Sequence, residues 1–220
     1  MKIAIVGSNR GIGLELVRQL TRDGHQVYAF CRIACDALRG IQPHAIIENF
    51  DVTRPDAMQA ALAPYPITDL DWLIHVSGLL KSASLENFNT ETILEQFTVN
   101  AIGPILTVKL LLPCLAPSAK VALLTSRMGS IADNTSGGSY GYRMSKSALN
   151  SAGKSLSRDL KHRGIAVFLL HPGFVKTQMT GYNGHIDVTT SAQGLIRLMH
   201  QKTLADTGTF WHVNGDPLPW

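Results

Sequence analysis

Short apolar runs recur along this 220-residue chain, and each gives way to a longer amphipathic stretch. That alternation constrains the fold more than any other feature. Lys2–Val6, Gln26–Cys31, Ala45–Phe50, Leu70–Val76, Lys120–Thr125, Ile165–His171 and Thr209–Val213 are strand candidates. Most are nearly continuous in apolar character, as parallel strands buried on both faces must be. Between them, Gly11–Arg22, Arg54–Ala63, Thr90–Leu115, Gly141–His162 and Thr189–Gln201 read as helices. Repeated strand–helix–strand order requires right-handed crossovers, so the expected class is α/β, a doubly wound parallel sheet with helices on both faces. The length calls for no second domain, so residues 1–220 are expected to form one. Sheets of this kind bind ligands beyond the carboxyl ends of their strands, where strand order reverses. Motifs that follow strands therefore matter most.

Composition removes several function classes. Apolar residues make up 45% of the chain and charged residues 16%, far from a disordered composition. The net charge of +4 comes with no basic run or stripe, so no nucleic-acid partner is expected. No apolar run is read as long enough to cross a bilayer, and the chain opens directly on the strand-like Lys2–Val6, with no room before it for a signal peptide. The expectation is a cytoplasmic protein without a membrane partner. Cys31, Cys35 and Cys114 are odd in number and lack paired spacing, which argues against a disulfide framework. The eight histidines form no HxxxH or Cys/His cluster, so no metal is expected.

The first strand runs into Gly7-Ser8-Asn9-Arg10-Gly11-Ile12-Gly13, a GxxxGxG turn that opens an amphipathic helix. Glycines permit backbone angles and close approaches that a Cβ would block. The helix N-terminus supplies N–H groups and a positive dipole for a pyrophosphate. A tight strand–helix connection would also use glycines, so the turn alone does not decide. The Lys-Ser/Thr pair of a P-loop is absent. The second strand ends Phe30-Cys31-Arg32, without the acid that usually binds the ribose 2′-hydroxyl of NAD. Arg32 and Arg10 suit a 2′-phosphate instead, unless both are simply solvated. NADP(H) is therefore the preferred cofactor and NAD(H) the alternative. Asp51, followed by Val52, could accept a hydrogen bond from an adenine amino group or merely cap a turn.

Tyr142 and Lys146 stand four residues apart on one predicted helix face. An unperturbed phenol titrates at about 10, and a cation beside it lowers that value toward a useful range. The pair makes a tunable general acid/base, although Tyr and Lys at this spacing also occur by chance. Tyr140, whose partner at the same spacing is Met144, lacks the cation. Ser126 follows the fifth strand, where a hydroxyl can polarise a carbonyl or cap a turn.

The order Gly7–Gly13, Asp51, Ser77-Gly78, Asn100, Ser126, Tyr142/Lys146 and Pro172-Gly173 resembles the short-chain dehydrogenase/reductase family from Met1 to Trp220. That resemblance implies a single Rossmann-type sheet of about seven strands and NAD(P)(H)-dependent chemistry on a small carbonyl or alcohol. It implies that Tyr142 is the acid/base, Lys146 its partner at the nicotinamide ribose, and Ser126 the carbonyl-orienting group. Asn100 would support a water-mediated proton relay. Gly7, Asn9, Arg10, Gly11, Ile12, Gly13, Arg32, Asp51, Val52, Ser77, Gly78, Pro172, Gly173, Val175 and Thr177 would join Tyr142 and Lys146 in holding the cofactor. The Ser126–Ser130 run and the Asp216–Trp220 ending resemble a subgroup of carbonyl reductases and C-factor-type signalling proteins. A dinucleotide-binding regulatory role is thus the alternative to turnover.

Three departures from the family pattern stand out. Val6 replaces the usual threonine, His75-Val76-Ser77-Gly78 replaces Asn-Asn-Ala-Gly, and the Ser126–Tyr142 interval is a few residues longer than usual. The second departure puts local stability in doubt more than chemistry. The segment after Thr177 reads as a mobile lid over the substrate, with Met128, Met179 and Tyr182 as candidate lining residues and His185 as an exposed loop residue. The resemblance also implies a homodimer or homotetramer built through the Thr90–Leu115 and Gly141–His162 helices.

Overall fold

The computed structural model describes residues 1–220. Its seven strands are β1 (Lys2–Val6), β2 (Gln26–Phe30), β3 (Ala45–Ile47), β4 (Leu70–His75), β5 (Leu115–Leu124), β6 (Ala166–His171) and β7 (Thr209–His212). They form one parallel sheet in the order β3-β2-β1-β4-β5-β6-β7. Strand order reverses between β1 and β4, and a crevice opens there at the carboxyl ends.

Alternate residues feed two cores, as a period-two strand dictates. Ile3 and Ile5 of β1 and Trp72 and Ile74 of β4 point to α1 (Gly11–Arg22), α2 (Asp36–Ile41) and α7 (Val188–Gln201). Ala4, Val6 and Leu73 point to the other face, under α3 (Pro55–Leu62), α5 (Gly103–Leu111) and α6 (Tyr140–Asp159), with α4 (Thr90–Phe97) packed against α6. Leu16, Leu20, Leu38, Leu195 and Leu198 close the first core, and Met58, Val108, Leu111 and Leu149 the second. Each fully buried aliphatic side chain contributes about 1.5–3 kcal/mol.

The doubly wound sheet expected from the alternation is present, with several boundaries moved. Helix α2 falls where only a connection was expected, and β3 stops at Ile47 rather than Phe50. Strand β5 starts at Leu115, well before Lys120. The expected Thr90–Leu115 helix is α4 and α5 joined by a π turn at Thr98–Ile102 and finished by a 3-10 turn at Leu112–Cys114. Helix α6 stops at Asp159, and Lys161–Arg163 is a 3-10 turn.

One expectation is overturned. The helical run Thr90–Cys114, 25 residues that include an 18-residue stretch with a mean hydropathy of 1.5, is long and apolar enough to cross a membrane by length and composition. Core-facing Ile93, Val108 and Leu111 combine there with exposed Leu94 and Ile102, so apolar character runs around the helix.

Candidate active site

The site begins where β1 ends. Gly7 has a φ of 90° and Gly11 a φ of 53°, left-handed values that suit glycine. A Cβ on Gly7 would lie 2.7 Å from the Ser77 nitrogen, and one on Gly13 would overlap the Gly7 carbonyl oxygen. The glycines thus let β1, β4 and the start of α1 close onto one another. No side chain caps α1 and no acid sits in its first turn, which leaves its N–H groups and positive dipole for an anion. The Val6 carbonyl accepts from Val76 N at 2.8 Å and Ser77 N at 3.2 Å. Backbone bonds therefore hold β1 to the β4 exit.

The turn is tied sideways to the segment after β2. Asn9 Nδ2 donates to the Ile33 carbonyl at 3.2 Å, and Cys35 Sγ donates to the Asn9 carbonyl at 3.0 Å. Arg32 and Arg10 both face the cleft from exposed positions. Arg10 Nη1 also donates to Gln178 Oε1 at 2.9 Å, across the opening. Glu48 does not compete for a ribose hydroxyl, because its carboxylate accepts from Ala34 N and Arg39 Nη2, each at 2.8 Å. Asp51 accepts from Thr53 N at 2.9 Å and Thr53 Oγ1 at 2.7 Å, so one of its oxygens caps its own turn. Burial raises its pKa, but the Thr53 bonds and the charges of Arg32 and Arg54 outweigh this and hold it below the usual range.

Tyr142 lies in the first turn of α6 and Lys146 one turn later, both buried. Ser126 leaves β5 beneath them. Its Oγ accepts from Met128 N at 3.1 Å and lies near enough to the Tyr142 phenol to favour its ionised form. Lys146 Nζ donates to the Leu124 carbonyl at 2.9 Å and stands 5.8 Å from the Tyr142 ring centre. The expected direction of the phenol's shift is reversed. Burial pushes Tyr142 up to about 12, with Ser126 pulling the other way. Burial likewise pushes the Lys146 ammonium down to about 8. Both groups have left water, which penalises each charged form, so the free protein holds a protonated phenol at neutral pH.

Asn100 sits in the π turn, fully buried. Its Oδ1 accepts from Leu79 N at 2.7 Å, and its Nδ2 donates to the Leu79 carbonyl at 2.8 Å and to Ser145 Oγ at 3.0 Å. The amide is occupied in positioning the β4 exit against α6, because the π turn aims it into that seam. A Cβ added to Gly78 would lie 3.4 Å from Asn100 Oδ1 and 3.7 Å from Lys146 Nζ, so the two polar groups border one open spot.

These walls enclose a cleft of about 640 Å³ lined by Gly7, Asn9, Arg10, Gly11, Ile12, Arg32, Asp51, Val52, Ser77, Gly78, Tyr142, Lys146, Pro172 and Thr177. The glycine cradle, the uncapped helix start and the two arginines fit a phosphorylated dinucleotide. Gly13, Asn100 and Ser126 stand behind the walls. Gly173 and Val175, expected to touch the cofactor, do not line the cleft. Gly173 backs onto Ile186, and Val175 is buried in a bridge with Ile186, which leaves the neighbouring Lys176 at the cleft. Met179 and Tyr182 line the opening as expected, whereas Met128 lines a separate cavity of about 420 Å³ between α6 and the Ser130–Gly138 loop. His185 is exposed and packs edge-on against Phe174. Sequence reasoning missed Thr125, Leu79 and Gln178. Thr125 and Gln178 directly follow or precede flagged motif positions, so adjacency was the available signal.

Residues 1–186 match the short chain dehydrogenase family. The chain is 35% identical over 226 residues to 1-hydroxy-2-glutathionyl-2-methyl-3-butene dehydrogenase of Rhodococcus sp. (strain AD45), covering 99% of each. It is 41% identical over 147 residues to the C-signal of Myxococcus xanthus, covering 66% of this chain and 87% of that one. The structure is similar to that of the NADPH-bound carbonyl reductase from chicken fatty liver, with a TM-score of 0.91, 28% identity and coverage of 100% of this chain and 98% of that one.

Proposed function

This chain belongs to the short-chain dehydrogenase family, and on that premise we propose that it is an NADP(H)-dependent reductase that turns a small carbonyl compound into its alcohol. The observation that carries the reading is that Tyr142 and Lys146, with Ser126 behind them, line the same cleft as the Gly7–Ile12 part of the glycine turn. A bound nicotinamide supplies the hydride, and the protein supplies orientation and electrostatics. Ser126 and Tyr142 orient the carbonyl oxygen by hydrogen bonds, which strengthen as negative charge develops there. Tyr142 donates its phenolic proton to that oxygen. A phenol held at about 12 in the free protein is protonated at neutral pH, which suits the reductive direction. Lys146 holds the ribose and stands as the cation that stabilises the phenolate left behind.

Arg10 and Arg32 support NADP(H) over NAD(H), and the similar chicken enzyme is described as NADPH-bound. Arg32→Asp is expected to reverse the NADPH-to-NADH preference in kcat/KM, and an unchanged ratio would end that assignment. Oxidation of NADPH in the presence of a panel of aldehydes and ketones tests the reaction itself. Turnover of none of them, with NADPH bound, would defeat it.

A second reading rests on the similarity to the C-signal. A regulatory protein on this fold would bind the dinucleotide and perform its task without turnover. A Tyr142→Phe protein that still performed the biological task would select that reading.

A further inference from the structure

Asp216–Trp220 lines no part of the cleft, yet it is wired to the residue that orients the carbonyl. The segment doubles back along β7, with His212 N donating to the Asp216 carbonyl and Leu218 N to the Phe210 carbonyl, both at 2.8 Å. Trp211 and Pro217 form an antiparallel bridge. The Trp220 ring stacks on Phe210 at 5.6 Å, and the Lys154 ammonium of α6 stands 5.9 Å from it. This seat directs the Trp220 main-chain oxygen at the loop between Ser126 and Tyr142. There it accepts from Ala132 N at 2.9 Å and from Ser130 Oγ at 3.2 Å.

The contact continues inward. Ser130 is only 2% exposed, and its Oγ also accepts from Asp133 N at 3.1 Å. The Asp133 carboxylate pairs with the Arg127 guanidinium, next in sequence to Ser126. Ser126 in turn caps the 3-10 turn Arg127–Gly129 through Met128 N. The loop has other anchors at its two ends. Ser147 and Asn150 donate to the Gly129 carbonyl, and Arg143 donates to Gly137 and Ser136. Its middle hangs on Trp220.

We propose that Asp216–Trp220 is a strut that positions Ser126 for catalysis through Ser130, Asp133 and Arg127. The proposal rests on the reductase reading above. A loop of this length loses precision when its middle is released, and a small misplacement of an orienting hydroxyl costs rate rather than cofactor affinity.

Trp220→Ala and Ser130→Ala are each expected to lower kcat for carbonyl reduction about tenfold with KM for NADPH unchanged. Trp220→Phe, which keeps the stack, should restore kcat. The double variant should be no worse than either single one, because both act on one path. Amide hydrogen exchange at Met128 and Ala132 should quicken in Trp220→Ala while the β6 amides stay protected. A kcat unchanged in Trp220→Ala, or one lost in step with NADPH binding, would overturn the strut. A wild-type protein inert toward every carbonyl would instead defeat the reductase reading. The exchange result then judges the strut alone, and unaltered Met128 exchange would reject it.

Discussion

At the scale of single residues, burial governs the chemistry of this site more than charge pairing does. Spacing alone points to Tyr142 and Lys146 but implies that the lysine lowers the phenol's pKa. In the fold the phenol rises to about 12 and the ammonium falls to about 8, both through desolvation. The proposed reduction needs the phenol protonated and Lys146 charged. On that basis kcat/KM for NADPH-dependent reduction should hold level through neutral pH and fall above about 8, as Lys146 loses its proton. A pH–rate profile checks this, and a profile flat to pH 10 would disconnect Lys146 from the rate. Tyr142 and Lys146 were legible because they lie on one helix at a fixed spacing. The partners of Asn100 were not, because Leu79 and Ser145 reach it only through tertiary folding.

Among the elements, those with a strong local pattern were readable and those built by packing were not. Helix α1 and the turn before it follow from glycines and apolar periodicity. Helix α2, six residues with Leu38 as its one buried anchor, carries too little pattern to stand out. The early part of β5 contains Pro117 and Ser118, the latter at a φ of 66°, and its strand character comes from pairing with β4. The π turn arises inside one apolar helical pattern and leaves no compositional mark. The glycine turn offers a sharp test of an element. Gly13→Ala places a methyl group against the Gly7 carbonyl and should destabilise the fold by about 1–3 kcal/mol. It should also weaken NADPH binding, measured by fluorescence titration beside a thermal melt. Wild-type affinity in that variant would mean the close approach is not required.

For the whole molecule, the same burial that prepares the cleft carries a cost in acid. His75 ends β4 fully enclosed, with no partner for its Nε2. Burial, with the Lys146 charge adding to it, lowers its pKa from 6.5 to about 3. Above pH 6.5 native and unfolded chains both carry a neutral imidazole, and the native state keeps its full stability. As pH falls from there toward 3, the unfolded chain takes up a proton that the native chain does not, so stability is lost. His171 adds to the same trend, since burial and then His212 also lower it to about 3. Melting temperature should therefore drop across this window, and less steeply in His75→Asn. An equal slope in that variant would remove His75 from the account. The seven-strand order and the reversal between β1 and β4 bring Gly7–Ile12, Arg32, Asp51, Ser77-Gly78, Tyr142, Lys146, Pro172 and Thr177 to one cleft. This is why a site assembled from distant segments could be anticipated before its walls were known.

The central claim is that Tyr142 is the proton donor of an NADP(H)-linked carbonyl reduction. The direct measurement is single-turnover NADPH oxidation by Tyr142→Phe with a carbonyl that the unaltered protein reduces. The expected result is a rate lower by about a hundredfold or more with NADPH affinity unchanged. Oxidation at the full rate would contradict it.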